Sequence, residues 1–504
     1  MARRPAQTRA PLPKPVKAQY DKCAQMIRRG NATAALLTLS QLRQARPQDT
    51  EGAMLAGEAN ASLGRHAESI DGYADALRLA PQSRDARVCY ADALRRGGRY
   101  EESLEQFQRL HAEDPRSIQL TRSVGATLID LGRDAEAAEL MGPLLERRDL
   151  RRLSPSDQLY IAIVSARLAP KHLEAGPIIE RLRTMAADEK CITHARVNGY
   201  NQLGRLLEGA GDADGAFDAF KAANEVDLHP WDADAHSARI DALIECWRGA
   251  ADIPRADADG SRHVFVVGMM RSGTSLTEQM IAMGEGVTPG GELNAISRAV
   301  ASVDAATTKF TRPMPVTRAR YQGTAINRLR AHADKVYNRF PGAGLLTDKQ
   351  PSNYLYIPLI ARLYPGVKIV HCMRDARDCC LSNFTQAFNR PHPFTEDLTR
   401  LGRYYRDYER LMKAWHELGD APILDVRYEE LVADAEGQSR RIFDFLGLEW
   451  TQRVLEFHES DRTVATASRQ QVRQPLYTTS VAKHEKYRAH LGPLNEALGI
   501  STQG

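Results

Sequence analysis

Two rhythms of apolar and polar positions divide the chain. In the first half, helical spacing of apolar residues is overlaid by a longer period. Pro47, Pro81 and Pro115 stand 34 residues apart, as do Gly64, Gly98 and Gly132. Arg65, Arg99 and Arg133, then Glu68, Glu102 and Glu136, keep the same step. Small residues recur at Ser69, Ser103 and Ala137 and at Gly57, Ala91 and Gly125, and large apolar ones at Tyr73, Phe107 and Met141. From His263 onward the rhythm changes to short apolar runs, each ending in a polar turn and followed by a helical pattern. The first is Val264 to Val267, then Gly268 and a helix from Ser275 to Met283; Leu345–Leu346 and Val367–Met373 open two more such crossings.

The 34-residue unit resembles the tetratricopeptide repeat: two antiparallel helices, small residues where they cross, and proline before the next unit. A partial unit over Gly30–Pro47 reads as the second half of a repeat. The pattern degenerates after Gly142, where Pro143 and Pro155 interrupt it, and returns at Asn201–Leu206, Gly211 and Ala216–Phe220. The expected organisation is a disordered basic tail over 1–17, an all-α solenoid over 18–255, a polar linker over 256–262 (with Ala256-Asp-Ala-Asp-Gly-Ser261) and an α/β domain over 263–504. One such unit cannot bury its apolar face alone, so stacked neighbours share a core and leave a groove for a polypeptide. An array used only as a scaffold is the plainer alternative, and a helical array also permits a homodimer.

Composition narrows the class. The chain has 504 residues, 43% hydrophobic and 26% charged, as in ordinary globular proteins. A net charge of +4 makes neither nucleic acid nor membrane a main partner. No apolar run reaches membrane-spanning length, and no signal-type apolar segment follows Arg3 and Arg4. Seven cysteines without a CxxC pair suggest neither a disulfide framework nor a zinc site, so a cytoplasmic location is expected.

The candidate chemistry lies in the second half. Gly268-Met-Met-Arg271-Ser272-Gly273-Thr274-Ser275 joins a strand to a helix N-terminus, which makes a cradle for an anion. It is nearly a nucleoside-triphosphate P-loop, but Thr274 stands where the lysine would be and the charge comes from Arg271. Gly290-Gly291-Glu292 presents a carboxylate on a tight turn; a helix-start glutamate is the bland alternative. Lys349, before Pro351, sits at a strand end. Arg374 follows the Val367–Met373 strand, and Ser382 lies eight residues later in the next helix. An arginine and a hydroxyl so placed can converge on one phosphate, so the two crossings together favour a ligand with two separate phosphate groups.

This set resembles the sulfotransferases that use 3′-phosphoadenosine 5′-phosphosulfate (PAPS). The likeness is closest to tyrosylprotein sulfotransferases and to bacterial sulfotransferases with fused repeats, and it runs from about 263 to 498. The resemblance implies a P-loop-like parallel-sheet domain without a metal. It implies that Arg271, Ser272, Gly273, Thr274 and Ser275 hold the 5′-phosphosulfate and that Arg374 and Ser382 hold the 3′-phosphate. It makes Glu292, 21 residues after Arg271, the catalytic base and Lys349 the catalytic lysine, with Arg271 steadying the sulfuryl group. Leu424–Val432 and Phe445–Trp450 match the family's later elements, and Ser468 with Lys483 matches its last cofactor segment. Met269–Met270 departs from the usual proline before the arginine, and Ala376 replaces a proline or glycine. The acceptor implied is a tyrosine hydroxyl in a peptide or protein, with a carbohydrate, lipid or small phenol as alternatives. Outside this family, the competing readings are a P-loop kinase or NTPase and a non-catalytic repeat scaffold. Some sulfotransferases use a histidine base; His371 reads as a core residue of its strand, and His484 is the weaker candidate.

Overall fold

Each 34-residue period encodes a helix, a tight turn and a second helix, and the computed structural model shows how the recurring residues build it. It describes residues 13–303, 314–388, 392–459 and 480–501. By packing, the chain falls into two units, Met1–Cys191 and Ile192–Gly504.

The first unit is five helical hairpins: α1 (Lys14–Arg28) with α2 (Ala32–Ala45), α3 (Thr50–Ser62) with α4 (His66–Leu79), α5 (Arg84–Arg96) with α6 (Tyr100–Glu113), α7 (Ile118–Asp130) with α8 (Asp134–Glu146), and α9 (Pro155–Ala166) with α10 (Ala175–Ala187). The periodic glycines make the turns. Gly64, Gly98 and Gly132 have φ of 69°, 81° and 78°, a left-handed backbone that other residues adopt at a cost. The small hydroxyls lock the crossings: Ser69 Oγ donates to the Gly57 carbonyl at 3.0 Å and Ser103 Oγ to the Ala91 carbonyl at 2.7 Å. Arg99 and Arg133 each hold the glutamate three residues on, at the surface. Phe107, Leu110, Val124 and Met141 form part of the shared core.

Gly30–Pro47 holds the second half of a hairpin, α2, and α1 before it is the first half. Two features differ from the sequence expectation. α1 starts at Lys14, inside the stretch read as tail. Pro143 does not interrupt the array: it sits in the last turn of α8, and Pro155 opens α9 behind the Ser154 cap. Residues 1–12 lie outside the described residues. Ser103→Ala should lower stability by about 1–2 kcal/mol, the cost of losing a buried hydrogen bond; the midpoint of urea unfolding measures it.

The second unit begins with three more helices, α11 (Thr193–Gly209), α12 (Ala213–Val226) and α13 (Ala233–Arg248). A five-stranded parallel sheet follows: β1 (His263–Gly268), β2 (Val287–Pro289), β3 (Leu345–Asp348), β4 (Lys368–Met373) and β5 (Ile423–Arg427), in the order β2-β3-β1-β4-β5. Its main helices, in chain order, are α14 (Thr274–Ile281), α15 (Ala295–Val303), α16 (Ala325–Tyr337), α17 (Ile357–Leu363), α18 (Ala376–Phe384), α19 (Leu398–Leu418), α20 (Tyr428–Ala433), α21 (Ala435–Leu446) and α22 (Gly492–Leu498). All six residues of β1 are buried, as befits the central strand of a sheet covered on both faces.

By packing, the division between the two units falls after Cys191, ahead of the 256–262 stretch. The cause is side-chain contact: Ser237 donates to Asp407 at 2.7 Å, Arg410 reaches Asp241 at 2.7 Å, and Phe217 stacks on Phe384 at 5.5 Å. The stretch read as a linker is likewise packed down, its Ala256 and Gly260 amides donating to the Arg362 and Pro365 carbonyls at 2.8 and 2.7 Å. Among the described residues no helix is long and apolar enough to cross a membrane.

Candidate active site

In an open parallel sheet, ligands sit beyond the carboxyl ends of the strands, where the strand order reverses. Here that place lies beyond β1, between β3 and β4. Gly268 ends β1 with φ 150°, and a Cβ on it would stand 2.3 Å from the Cys372 carbonyl oxygen, so only glycine lets the loop leave beside β4. Arg271 has φ 69°, a backbone that a non-glycine residue holds only when its surroundings impose it. The constraint is visible one residue earlier. The Met270 carbonyl accepts from Asn383 Nδ2 at 2.8 Å and from Cys379 Sγ at 3.3 Å, both on α18. That anchoring gives the loop a fixed exit without the expected proline. Gly273 leads into α14, whose first residues, Thr274 and Ser275, are buried at its N-terminus.

The structure brings the two segments expected to bind phosphate together across 111 residues of sequence. Arg271 Nε donates to Ser382 Oγ at 3.1 Å. Arg374 Nη1 donates to the Arg271 carbonyl at 3.2 Å, and its Nη2 donates to the Ser480 carbonyl. The Arg374 guanidinium also lies 4.9 Å over the Tyr428 ring, and Tyr405 holds the Arg374 carbonyl at 2.9 Å. Asp375 caps α18 by accepting from the Arg377 and Asp378 amides. Two buried polar atoms here, Ser272 Oγ and Arg374 Nε, find no partner. A glycine-lined cradle with orphaned donors beside two arginines fits a phosphate-bearing ligand.

The other pair of candidates meets on the β3 side. Lys349 Nζ donates to Glu292 Oε1 at 2.8 Å; the lysine side chain is 1% exposed and the glutamate 44%. The Gly290-Gly291 turn is fastened to the end of β3: the Gly290 amide donates to the Thr347 carbonyl at 3.0 Å and the Lys349 amide to the Gly291 carbonyl at 2.8 Å. Glu278, on α14, ties this turn to the cradle. Its buried carboxylate accepts from the Gly291 amide at 3.0 Å and from the Thr347 hydroxyl at 2.7 Å. Burial raises its pKa against the opposing pull of Lys349. Asp348 is buried as well, accepts from the Tyr337 hydroxyl at 2.7 Å, and is pushed up to about 7 by desolvation. In the sequence alone Glu278 and Asp348 have no assigned role, and Tyr428 is taken in only within the Leu424–Val432 match; the signal for the two acids is their place in the helix after β1 and at the end of β3.

The remaining candidates part company. The Lys483 ammonium pairs with Glu208 on α11 at 2.7 Å, and Tyr487 donates to the same carboxylate at 2.6 Å. Ser468 lies outside the described residues. His371 is a core histidine, bonded through Nδ1 to Asp425 at 2.6 Å and through Nε2 to the Tyr408 hydroxyl, with its pKa lowered chiefly by burial. The His484 imidazole and amide both bind Asp378, at 2.9 and 2.8 Å, which docks the 480–484 segment on α18. His371, His416 and Asp425, and separately Asp375, Asp378 and His484, gather ligand-type atoms within 4.8 Å of one another.

The model of the Sulfotransferase family matches residues 263–452. An uncharacterized protein of Aquifex aeolicus (strain VF5) is 30% identical over 332 residues, 64% of this chain and 44% of that protein. A putative protein-tyrosine sulfotransferase of Caenorhabditis briggsae is 30% identical over 116 residues, 23% of this chain and 41% of that one. The chain thus spans less than half the length of either relative. The solved sulfotransferase domain of the Synechococcus PCC 7002 olefin synthase aligns at a TM-score of 0.28 and 17% identity, over 50% of this chain and 92% of its own. The chain joins a tetratricopeptide-type helical array to a sulfotransferase-family domain over residues 263–452.

Proposed function

We propose that the protein is a PAPS-dependent sulfotransferase that moves a sulfuryl group to an acceptor hydroxyl, with a tyrosine of a peptide or protein as acceptor. The observation that carries this reading is the Arg271–Ser382 hydrogen bond of 3.1 Å, which makes one site of two phosphate-binding motifs. Two linked phosphate subsites beside a lysine–glutamate pair suit a nucleotide with phosphates at both ends of its ribose better than a triphosphate. The tyrosine acceptor is supported by the similarity to the Caenorhabditis briggsae protein and by an array of the type that holds polypeptides.

When bound, PAPS supplies the sulfuryl group and a phosphate oxygen able to leave with its charge. Arg271 and the backbone of Ser272–Ser275 hold the 5′ end, and Arg374 and Ser382 hold the 3′-phosphate. Ser468 is assigned to the same nucleotide; Lys483, held by Glu208, is assigned no part. Glu292 takes the acceptor proton. A phenol with a pKa of about 10 gives up its proton to a carboxylate only in concert with attack. Lys349 meets the charge that develops on the leaving oxygen.

The test is thermal unfolding with 3′-phosphoadenosine 5′-phosphate. At a hundred times its dissociation constant a ligand stabilises by about 2.7 kcal/mol, a rise in Tm of roughly 5 °C for a large domain. The rise is expected in the native chain and lost in Arg374→Ala. A rise with ATP and none with 3′-phosphoadenosine 5′-phosphate overturns the reading.

A further inference from the structure

A cleft adjoins the cradle. Gly268, Met269 and Met270, the residues leading into Arg271, form one side of it. Ser352, Tyr354 and Leu355, which follow Lys349, form another. The cleft therefore borders the loop that leads into Arg271 and the turn that follows Lys349. Its outer wall is aromatic and comes partly from elsewhere: Trp231 and His236, at the start of α13, precede the family-matched residues 263–452.

The aromatic groups are ordered against one another. Phe394 and Tyr404 stack at 3.6 Å and 3°. His236 stacks on Tyr404 at 4.7 Å and 22°, and Trp231 tilts against His236 at 5.6 Å. The Tyr354 and Tyr404 hydroxyls bond each other at 2.7 Å, so those two polar ends are already satisfied. Burial holds His236 down at about 4, so near neutral pH it presents an uncharged ring. One further polar group stands out. Ser352 is 6% exposed, lines the cleft, and its Oγ has no hydrogen-bond partner.

We propose that this cleft takes the acceptor as a flat, hydroxyl-bearing aromatic ring, with Trp231 and His236 as specificity-determining walls and Ser352 Oγ as the partner of the ring hydroxyl. The proposal rests on the sulfuryl-transfer reading and adds where and by what the acceptor is selected. Flat aromatic walls reward a flat guest through offset and edge contacts. A sugar would bring several hydroxyls, each of which loses free energy when buried unpaired, to a mostly apolar lining that has Ser352 Oγ as its unpartnered hydroxyl and Arg239 and His392 as further polar groups. An alkyl alcohol would gain contact area but nothing from the ordered rings. Because Trp231 and His236 lie on the helical segment before the transferase domain, acceptor choice is set partly by residues outside that domain.

The experiment uses the full chain and 2-naphthol as the probe, with cyclohexanol as the aliphatic control. Binding is read by quenching of naphthol fluorescence, which needs no nucleotide, and transfer is read with saturating PAPS. Trp231→Ala and His236→Ala should each weaken naphthol binding and raise its KM roughly tenfold, with kcat nearly unchanged and the 3′-phosphoadenosine 5′-phosphate melting shift intact. Trp231→Phe should restore most of the loss, and Ser352→Ala should raise KM severalfold. An unchanged naphthol affinity in Trp231→Ala, or equal binding of cyclohexanol and naphthol by the native chain, overturns the proposal. Native naphthol binding that is sensitive to Trp231, together with no nucleotide shift, would leave the cleft standing and remove the sulfuryl-transfer reading instead.

Discussion

Glu292→Gln should lower kcat for sulfuryl transfer about 10²–10⁴-fold, the range typical of losing a positioned general base. Glutamine is the informative substitute because its amide oxygen can still accept from Lys349 Nζ, which the native carboxylate does at 2.8 Å. Alanine would instead leave a lysine that is 1% exposed without its partner, mixing a folding defect with a chemical one. The Gly290–Gly291 turn keeps its own backbone bonds to Thr347 and Lys349, so the loop geometry should survive the change. Nucleotide binding should survive too, since Arg271, Arg374 and Ser382 are untouched. Transfer rates with radiolabelled PAPS and the melting shift with 3′-phosphoadenosine 5′-phosphate separate the two effects. A kcat within twofold of native, with the shift preserved, would move the base to another residue.

The parts of this molecule that were legible in the sequence are those where local constraints repeat or end a strand. The 34-residue step was visible because three successive hairpins share a left-handed turn, at Gly64, Gly98 and Gly132, and two of them a small hydroxyl at the crossing, Ser69 and Ser103. The α9–α10 hairpin has none of these markers at the period, and α1 precedes the first periodic proline, so both were hidden. Arg271, Lys349 and Arg374 stood out because each follows a short apolar run, and the strand order then gathers them at the carboxyl end of the three inner strands. Contacts set by tertiary packing left no local trace. Lys483 meets Glu208 across 275 residues, and nothing near either one announces the other. Trp231 and His236 lie in a stretch whose helical pattern reads only as array. The same packing explains the division after Cys191: α11–α13 follow the array's rhythm but are fastened to α18 and α19 by Phe217, Ser237 and Asp241.

Lys349→Met carries the second large effect, and its sign on stability is opposite to its sign on activity. The ammonium is buried at the end of β3, between Glu292, which is half-exposed, and the more deeply buried Glu278. Holding a charge there requires desolvating it, and methionine fills a similar volume without that cost; the buried Glu278 left behind, whose pKa burial already raises, can take up a proton instead of staying charged. Glu292 can be hydrated once its partner is gone, so the variant should melt at the native temperature or above it. Turnover should nevertheless fall about 10²–10³-fold, the usual cost of removing one preorganised group that meets charge developing in the transition state. Lys349→Arg should not restore it, because a planar fork does not fit a slot shaped around a point charge. The KM for PAPS should change little, since the phosphates are held elsewhere and the lysine acts as the oxygen leaves. A Lys349→Met chain that melts several degrees lower yet turns over normally would make the lysine a structural partner of Glu292 and Glu278. A chain that melts no lower and is inactive would show that this buried charge is kept at the expense of stability because the reaction needs it.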